Sequence, residues 1–498
     1  MKALSLFGKL FLVTSIALLS ACSDSKDDPI TGGGEGEKEQ ILFNNGTEIG
    51  DGTNKFSIKE NHVIRKGTYV LKGWVYIEDG ATLTIEPGTV IKGDKATKAA
   101  LIARRGGKLI AKGTAAEPIV FTSNQAKGSR KPGDWGGIIL SGRAHNNNDN
   151  TTGMPIEGGP VAPHGGNNDD DNSGILSYVR VEFAGTPFAT DQEINGVTFG
   201  SVGRGTQVDH VQVSYSGDDS FEWFGGTVNA KHLVAYHGWD DDYDTDFGYS
   251  GKLQFLLAVR NPKIADQSLS NGFESDNNAN GTTDEPYTKA VFSNVTLIGT
   301  TQYITGDGLF SPDAGRLGTF QAAIQIRRNS RLNLFNSIAT GYPVGLLLDN
   351  QKGTTHQWAT DGIIKIQNNV FAGMGVLGSD INKQANGWTD QLSTNGTTVT
   401  DASKPSFSST FFNKESNKNK AFTSIADIKL NQPNSKAANP NYGPATGSPA
   451  LGLGAFTDAL LSDSFFTKVN YSGAFASDSD SDNWMLGWTN FDPQNTTY

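Results

Sequence analysis

From Thr68 onward the chain is a series of short apolar runs separated by turns. Tyr69-Val70-Leu71, Val75-Tyr76-Ile77, Leu83-Thr84-Ile85 and Val90-Ile91 open the series. Leu101-Ile102, Leu109-Ile110 and Ile119-Val120-Phe121 continue it. Gly or Pro breaks nearly every gap, as at Asp79-Gly80, Pro87-Gly88 and Arg105-Gly106-Gly107, and such pairs are turn signals. A sandwich prefers longer alternating strands. A repeated phrase runs from Leu176 to Gly185 and returns from Val208 to Gly217, with weaker copies starting at Ala290, Leu332 and Ile366. Alternate residues of a strand share a face, so Val179 goes with Val181, and Val211 with Val213. The chain stacks similar units whose apolar side is covered by neighbours.

Spacing selects the kind of stack. The segment from Phe221 to Gly226 aligns with that from Tyr243 to Gly248 at an offset of 22 residues, the length of one coil of a right-handed parallel β-helix. The expected fold is therefore all-β, a right-handed single-stranded parallel β-helix over residues 68–375. Residues 41–67 read as a lead-in and N-terminal cap. Residues 376–498 read as loop-rich terminal coils and a separate aromatic C-terminal cap. Asn336 and Asn368-Asn369 resemble asparagines that stack at coil turns. The middle of the chain, residues 68–122 above all, resembles the pectate-lyase-like β-helix proteins. Lyases, hydrolases, adhesins and non-enzymes share that architecture, so the resemblance speaks to fold and not to function.

The N-terminus follows a different pattern. Lys2 and Lys9 precede a short apolar stretch that ends in Leu19-Ser20-Ala21-Cys22. The stretch is too short for a good membrane span. Small residues before a cysteine resemble a lipobox, which implies that residues 1–21 are a signal peptide and that Cys22 carries a lipid. Cys22 is the only cysteine of 498 residues, so no intrachain disulfide is available. An acidic run, Ser23 to Asp28, and a Gly- and Glu-rich stretch follow. Residues 22–40 read as a flexible tether.

The ending, with Phe465-Phe466, Trp484 and Trp488, resembles that of a group of Bacteroidota outer-membrane lipoproteins. So do Asp134-Trp135-Gly136-Gly137 and the 218–248 segment, whereas Ser448-Pro449-Ala450 resembles a phrase that marks the last coils of β-helix proteins. This resemblance spans residues 60–498. It implies attachment to the outer membrane, facing the cell exterior, and it carries no catalytic assignment.

Charge narrows the partners. The chain has 41 basic and 52 acidic side chains, a formal net charge of -11. Phosphate binding needs a basic surface, so nucleic acid is not expected. The acids concentrate where the coil repeat is clearest. Asp218-Asp219 precede Asp240-Asp241 by one offset, and Glu222 precedes Asp244; Glu274 follows in a third copy. Neighbouring strands lie about 4.8 Å apart, so Glu222, Asp244 and Glu274 should form a ladder. Like charges at that spacing call for solvent, shared protons or a cation. Calcium takes six to eight oxygen ligands. The alternating Asp240, Asp242, Asp244 and Asp246, helped by Glu222 and Glu274, form the expected calcium set, and a solvated acidic loop is the competing reading. The acidic runs at 167–172 and 478–482 read as solvated turns.

Aromatic residues flank the column. Trp223, Trp239 and Tyr236 are candidate glycan contacts, since a sugar can lay an apolar face on a ring and its hydroxyls on carboxylates. Core packing is the competing role. Arg180, Arg204, Lys231, Lys252 and Arg260 are near in sequence but belong to no lyase motif. Asp218, Asp219, Asp240 and Asp241 are of a type that hydrolases use as carboxylate pairs. His232 and His237 show no HExxH pattern, so metalloprotease chemistry is not expected. Three classes remain. The first is a lipid-anchored binding or adhesion protein, glycan-binding and accessory to an outer-membrane nutrient system. The second is a calcium-dependent polysaccharide lyase or glycoside hydrolase. The third is a structural part of an outer-membrane complex.

Overall fold

The computed structural model describes residues 43–44, 46–189, 192–300, 319–382, 391–394, 397–400, 405–431 and 437–498. Cys22, the leader at 1–21 and the tether at 22–40 lie outside the described residues.

The coil repeat becomes two stacked parallel sheets. One has eleven strands taken strictly in chain order, from Phe56–Ile58 through Val197–Val202, Phe221–Gly226, Tyr243–Asp246 and Phe273–Ser275 to Val376–Ser379. Consecutive strands pair parallel, so each coil lays one strand on the last. The other sheet is built from longer strands such as Gly174–Glu182, Gln207–Ser214, Asn229–Tyr236 and Lys252–Val259. This is the right-handed parallel β-helix expected from the repeat.

Each longer strand bends at one residue. Ser177 pairs with Asp209 and Val179 with Val211, and the residues between them are skipped. Those residues are Tyr178 and His210, with φ of 51° and 57°, and the column continues with His232, Phe255, Asn294, Asn336 and Asn368. Left-handed backbone turns the strand through a corner and removes one residue from the ladder. Asparagine tolerates that conformation well, and it holds the later coils. In the earlier coils stacked rings take its place, with His210 4.4 Å from Tyr178 and 4.3 Å from His232 between ring centres. The turn column is thus only partly asparagine.

Val179, Val181, Val211 and Val213 are all buried in the main core, as the alternation requires. The stack reaches further at both ends than the apolar runs suggest. Glu48–Ile49 already pairs parallel with the strand at Val70–Leu71, and Phe56–Ile58 with Val75–Ile77. At the other end Val370–Ala372 pairs with Lys420–Phe422. These terminal strands have two or three residues, too few to show periodicity. The helix Phe407–Phe412 puts Phe411 and Phe412 into the core beside the last coils.

The aromatic C-terminal segment is not an end cap. It runs back along the bent sheet from late coils to early ones. Asn336 donates to the carbonyl of Ala455, Asn294 to that of Tyr471, Gln254 to that of Thr467, Gln212 to that of Asn490 and Arg130 to that of Pro493. Lys92 reaches Tyr498 at 2.9 Å. Trp484, Trp488, Phe475 and Phe491 form a second apolar cluster against Tyr236, Leu257 and Tyr178.

Candidate functional site

The eleven-stranded sheet positions an acidic groove. In its central strands Phe221, Trp223, Tyr243, Thr245, Phe273 and Ser275 are buried. Alternation turns Glu222, Asp244 and Glu274 to the opposite face. Register then aligns them, Glu222 with Asp244 and Asp244 with Glu274. The ladder inferred from the 22-residue offset is present, and its third rung lies 30 residues further on.

A second ladder stands at the bend that enters these strands. Asp241 donates its backbone N–H to Asp219 Oδ1 at 2.8 Å. Asn271 donates its own N–H to Asp241 Oδ1, and Ala322 donates to Asn271 Oδ1 at 3.0 Å. One oxygen of each aspartate thereby holds the next coil's turn.

The two ladders converge. Three groups bring one carboxylate oxygen from each member within 4.8 Å of the others: Asp218, Asp219 and Asp240; Asp219, Glu222 and Asp244; Asp241, Asp244 and Glu274. Asp219 belongs to the first two and Asp244 to the last two. Glu157, Glu193 and Asp266 join from flanking segments, and the groove has a volume of about 310 Å³. Among the described residues Arg327 is the one basic side chain lining it. It is spent on Glu274 and on Asp276, whose Oδ1 lies 2.8 Å away.

Burial and mutual repulsion make ionisation costly here. Asp218, Asp219, Glu222 and Asp244 are all pushed well above the usual carboxylate range, first by burial and then by neighbouring carboxylates. Burial likewise pushes Glu157 up to about 7, and burial with Asp266 pushes Asp240 to about 7. Asp240 Oδ1 and Asp244 Oδ1 are buried without a hydrogen bond. Orphaned oxygens in an all-oxygen donor set are what a hard divalent cation such as calcium satisfies. The residues present fit that ion.

The clusters able to hold a divalent ion include only some of the expected calcium residues. Glu222, Asp240, Asp244 and Glu274 belong to the three groups, whereas Asp242 and Asp246 do not. Asp242 sits in the bend before its strand and turns inward, where it is wholly buried against Arg260 Nε at 3.0 Å. Asp246 accepts the N–H of Phe247 at 2.6 Å. The carboxylates that converge therefore come from successive coils and not from alternation within one loop. Asp219 and Asp241 carry the offset signal in the sequence, where it points only to a hydrolase-type pair. Glu157, Glu193 and Asp266 carry no repeat and had no sequence signal.

The aromatic candidates do not line the groove. Trp223 is fully buried and stacks on Phe199 and Tyr249 at 5.5 and 5.4 Å. It falls on the inward phase of its strand. Tyr236 is buried edge-on to Phe491 of the C-terminal segment. Trp239 is buried as well and donates Nε1–H to Asp266 Oδ1 at 3.0 Å. It supports a groove carboxylate and offers no open face. On the bent sheet Asp209, His210 and His232 form another group able to hold a metal. His232 Nδ1 lies 2.7 Å from Asp209 Oδ1.

Comparison with curated proteins gives no match, and comparison with solved structures gives none. A family profile described as a pectate-lyase like beta helix domain matches residues 56–430, most of the described coils. The chain belongs to this pectate-lyase-like β-helix family.

Proposed function

We propose that this protein is a calcium-dependent carbohydrate-active enzyme that cleaves a polysaccharide laid along the acidic groove. One observation carries the reading: the register aligns Glu222, Asp244 and Glu274 across three coils while Asp244 Oδ1 is left without a partner. Calcium held there offsets the repulsion and presents positive charge to a substrate carboxylate or hydroxyl. Glu157, outside the three carboxylate groups and pushed up to about 7 mainly by burial, is suited to general acid work. The choice between lyase and hydrolase is read from products. Incubation of the full chain with uronate-containing and neutral polysaccharides, with calcium or with chelator, should release soluble fragments only with calcium. Unsaturated ends mark elimination, and new reducing ends without unsaturation mark hydrolysis. Calcium-independent cleavage, or none on any substrate, would overturn the proposal.

A second reading is a glycan-binding or adhesion protein without turnover, accessory to an outer-membrane nutrient system. Arg327, neutralised by Glu274 and Asp276, supplies no free base, and that favours retention over elimination. Retention on a polysaccharide column without release of fragments would select it. A structural role in an outer-membrane complex predicts neither property and copurification with a membrane protein instead. In all three readings Cys22 carries the lipid and the protein faces the cell exterior. Leu19-Ser20-Ala21-Cys22 and the acidic run after it support that placement.

A further inference from the structure

Three residues beyond Asp244 the same coil leaves the acidic groove and enters a different pocket. Even a fully extended strand rises only about 3.3 Å per residue, so Phe247 lies no more than about 10 Å from Asp244. Here Phe247 meets Asn147, Asn278, Asn280, Thr282 and Asp284 around a volume of about 480 Å³. Its chemistry contrasts with that of the groove. Among the described residues Asp284 is the one charged residue lining it, and Lys352 stands at its edge with Nζ 3.3 Å from the Ala279 carbonyl. The Asp284 carboxylate already accepts the Thr282 hydroxyl. Asn278 is likewise occupied, donating to Thr282 Oγ1 at 2.6 Å and accepting backbone N–H groups of Asn280 and Thr282.

Asn147 is different. It is 8% exposed, and its Nδ2 donates to Asn277 O at 2.7 Å. Its Oδ1 is buried and accepts nothing. A buried acceptor left unpaired costs about 1–3 kcal/mol, so the site is built for a donor that arrives from outside. Beside it stands the half-buried ring of Phe247, held at a φ of 48°. The left-handed region is unfavourable for an aromatic residue. The backbone of Asn147 donates to the Phe247 carbonyl at 2.9 Å and helps fix that position.

We infer that this pocket is a subsite for an uncharged, hydroxyl-bearing sugar unit of the chain bound in the groove. The hydroxyl donates to Asn147 Oδ1, and the apolar face of the sugar rests on Phe247. A uronate or phosphorylated unit meets the Asp284 carboxylate inside the pocket, while Lys352, at its edge, is engaged by the Ala279 carbonyl. The inference rests on the carbohydrate reading and deepens it: the polysaccharide carries neutral units next to the unit held at the cation site.

The test uses the full chain in calcium buffer and saturation-transfer NMR with the hexasaccharides of xylose, mannose, galactose and glucose, and of galacturonate. At least one neutral hexasaccharide should give signal. The exposed Asn280 allows Asn280→Trp to fill the pocket mouth, and this variant should weaken that binding about tenfold or more. Its calcium-induced rise in melting temperature should match that of the wild type, which shows that it is folded. Phe247→Ala should weaken the neutral sugar in the same direction. Neutral binding unchanged in Asn280→Trp, or no signal from any neutral hexasaccharide, overturns the subsite; a water site only is then the role of Asn147 Oδ1. Neutral binding lost in Asn280→Trp but unaffected by calcium or by Asp244→Asn supports the subsite and overturns the groove reading instead.

Discussion

Arg260 Nε lies 3.0 Å from Asp242 Oδ2, and both side chains are wholly excluded from solvent. Arg260 also donates to the carbonyls of Gly238 and Asn271, on either side of the acidic bend. The pair sits beneath the groove and takes one aspartate out of it. Removing one partner leaves a buried charge, and breaking such a pair costs about 3–5 kcal/mol. Arg260→Met should therefore lower the melting temperature sharply. The double variant Asp242→Leu/Arg260→Met should recover part of the loss, because two neutral side chains leave no unpaired charge. Calorimetry of the three proteins checks this, and a double variant no better than the single would mean that the two carbonyl contacts dominate.

Calcium should stabilise the protein through the paired ladders. Binding to the folded state alone contributes about 2.7 kcal/mol when free calcium is roughly a hundred times Kd. Asp244→Asn touches two of the three carboxylate groups and should abolish most of the response while the fold persists. Asp246→Asn, outside all three groups, should leave it nearly intact. Titration calorimetry after chelator treatment measures both. Equal loss in the two variants would return the ligand set to the single loop from Asp240 to Asp246.

The metal-free protein should lose stability as pH rises. Glu157 and Asp240 are each raised to about 7, from ordinary values of 4.5 and 3.8. A folded state that binds more protons than the unfolded chain is fully favoured below the unfolded values and weakened as pH climbs through the folded ones. Glu157 and Asp240 then each give up on the order of 3–4 kcal/mol between about pH 4 and 7. Thermal melts in chelator should fall across that window, and calcium should restore stability most at the upper end. A melt that rises with pH in chelator would show that these carboxylates are ionised without metal.

Cys22→Ser should release the protein from membranes. Intact-mass analysis of the wild type should show an acylated chain starting at Cys22, and protease treatment of whole cells should cleave it. A soluble, unmodified wild type removes the lipid anchor; full protection in intact cells places the protein inside the outer membrane.

Local pattern alone determined the solenoid. A strand buries alternate residues and a coil must cover its neighbour, so the repeat at Val179 and Val211 and the offset from Glu222 to Asp244 already specify parallel stacking. That offset also made the Glu222, Asp244 and Glu274 ladder legible, because register converts spacing along the chain into adjacency. Tertiary structure alone decided the direction of individual side chains at bends, where alternation fails. Asp242 looks like its neighbours in sequence and turns inward to Arg260. Trp223, Trp239 and Tyr236 look available beside acids, yet the coil interior and the returning C-terminal segment bury all three. Glu157, Glu193 and Asp266 reach the groove from loops with no period, and the chain's ending lies along early coils rather than capping late ones. Contacts between distant segments depend on how the solenoid's faces are covered, and no local pattern of residues encodes that.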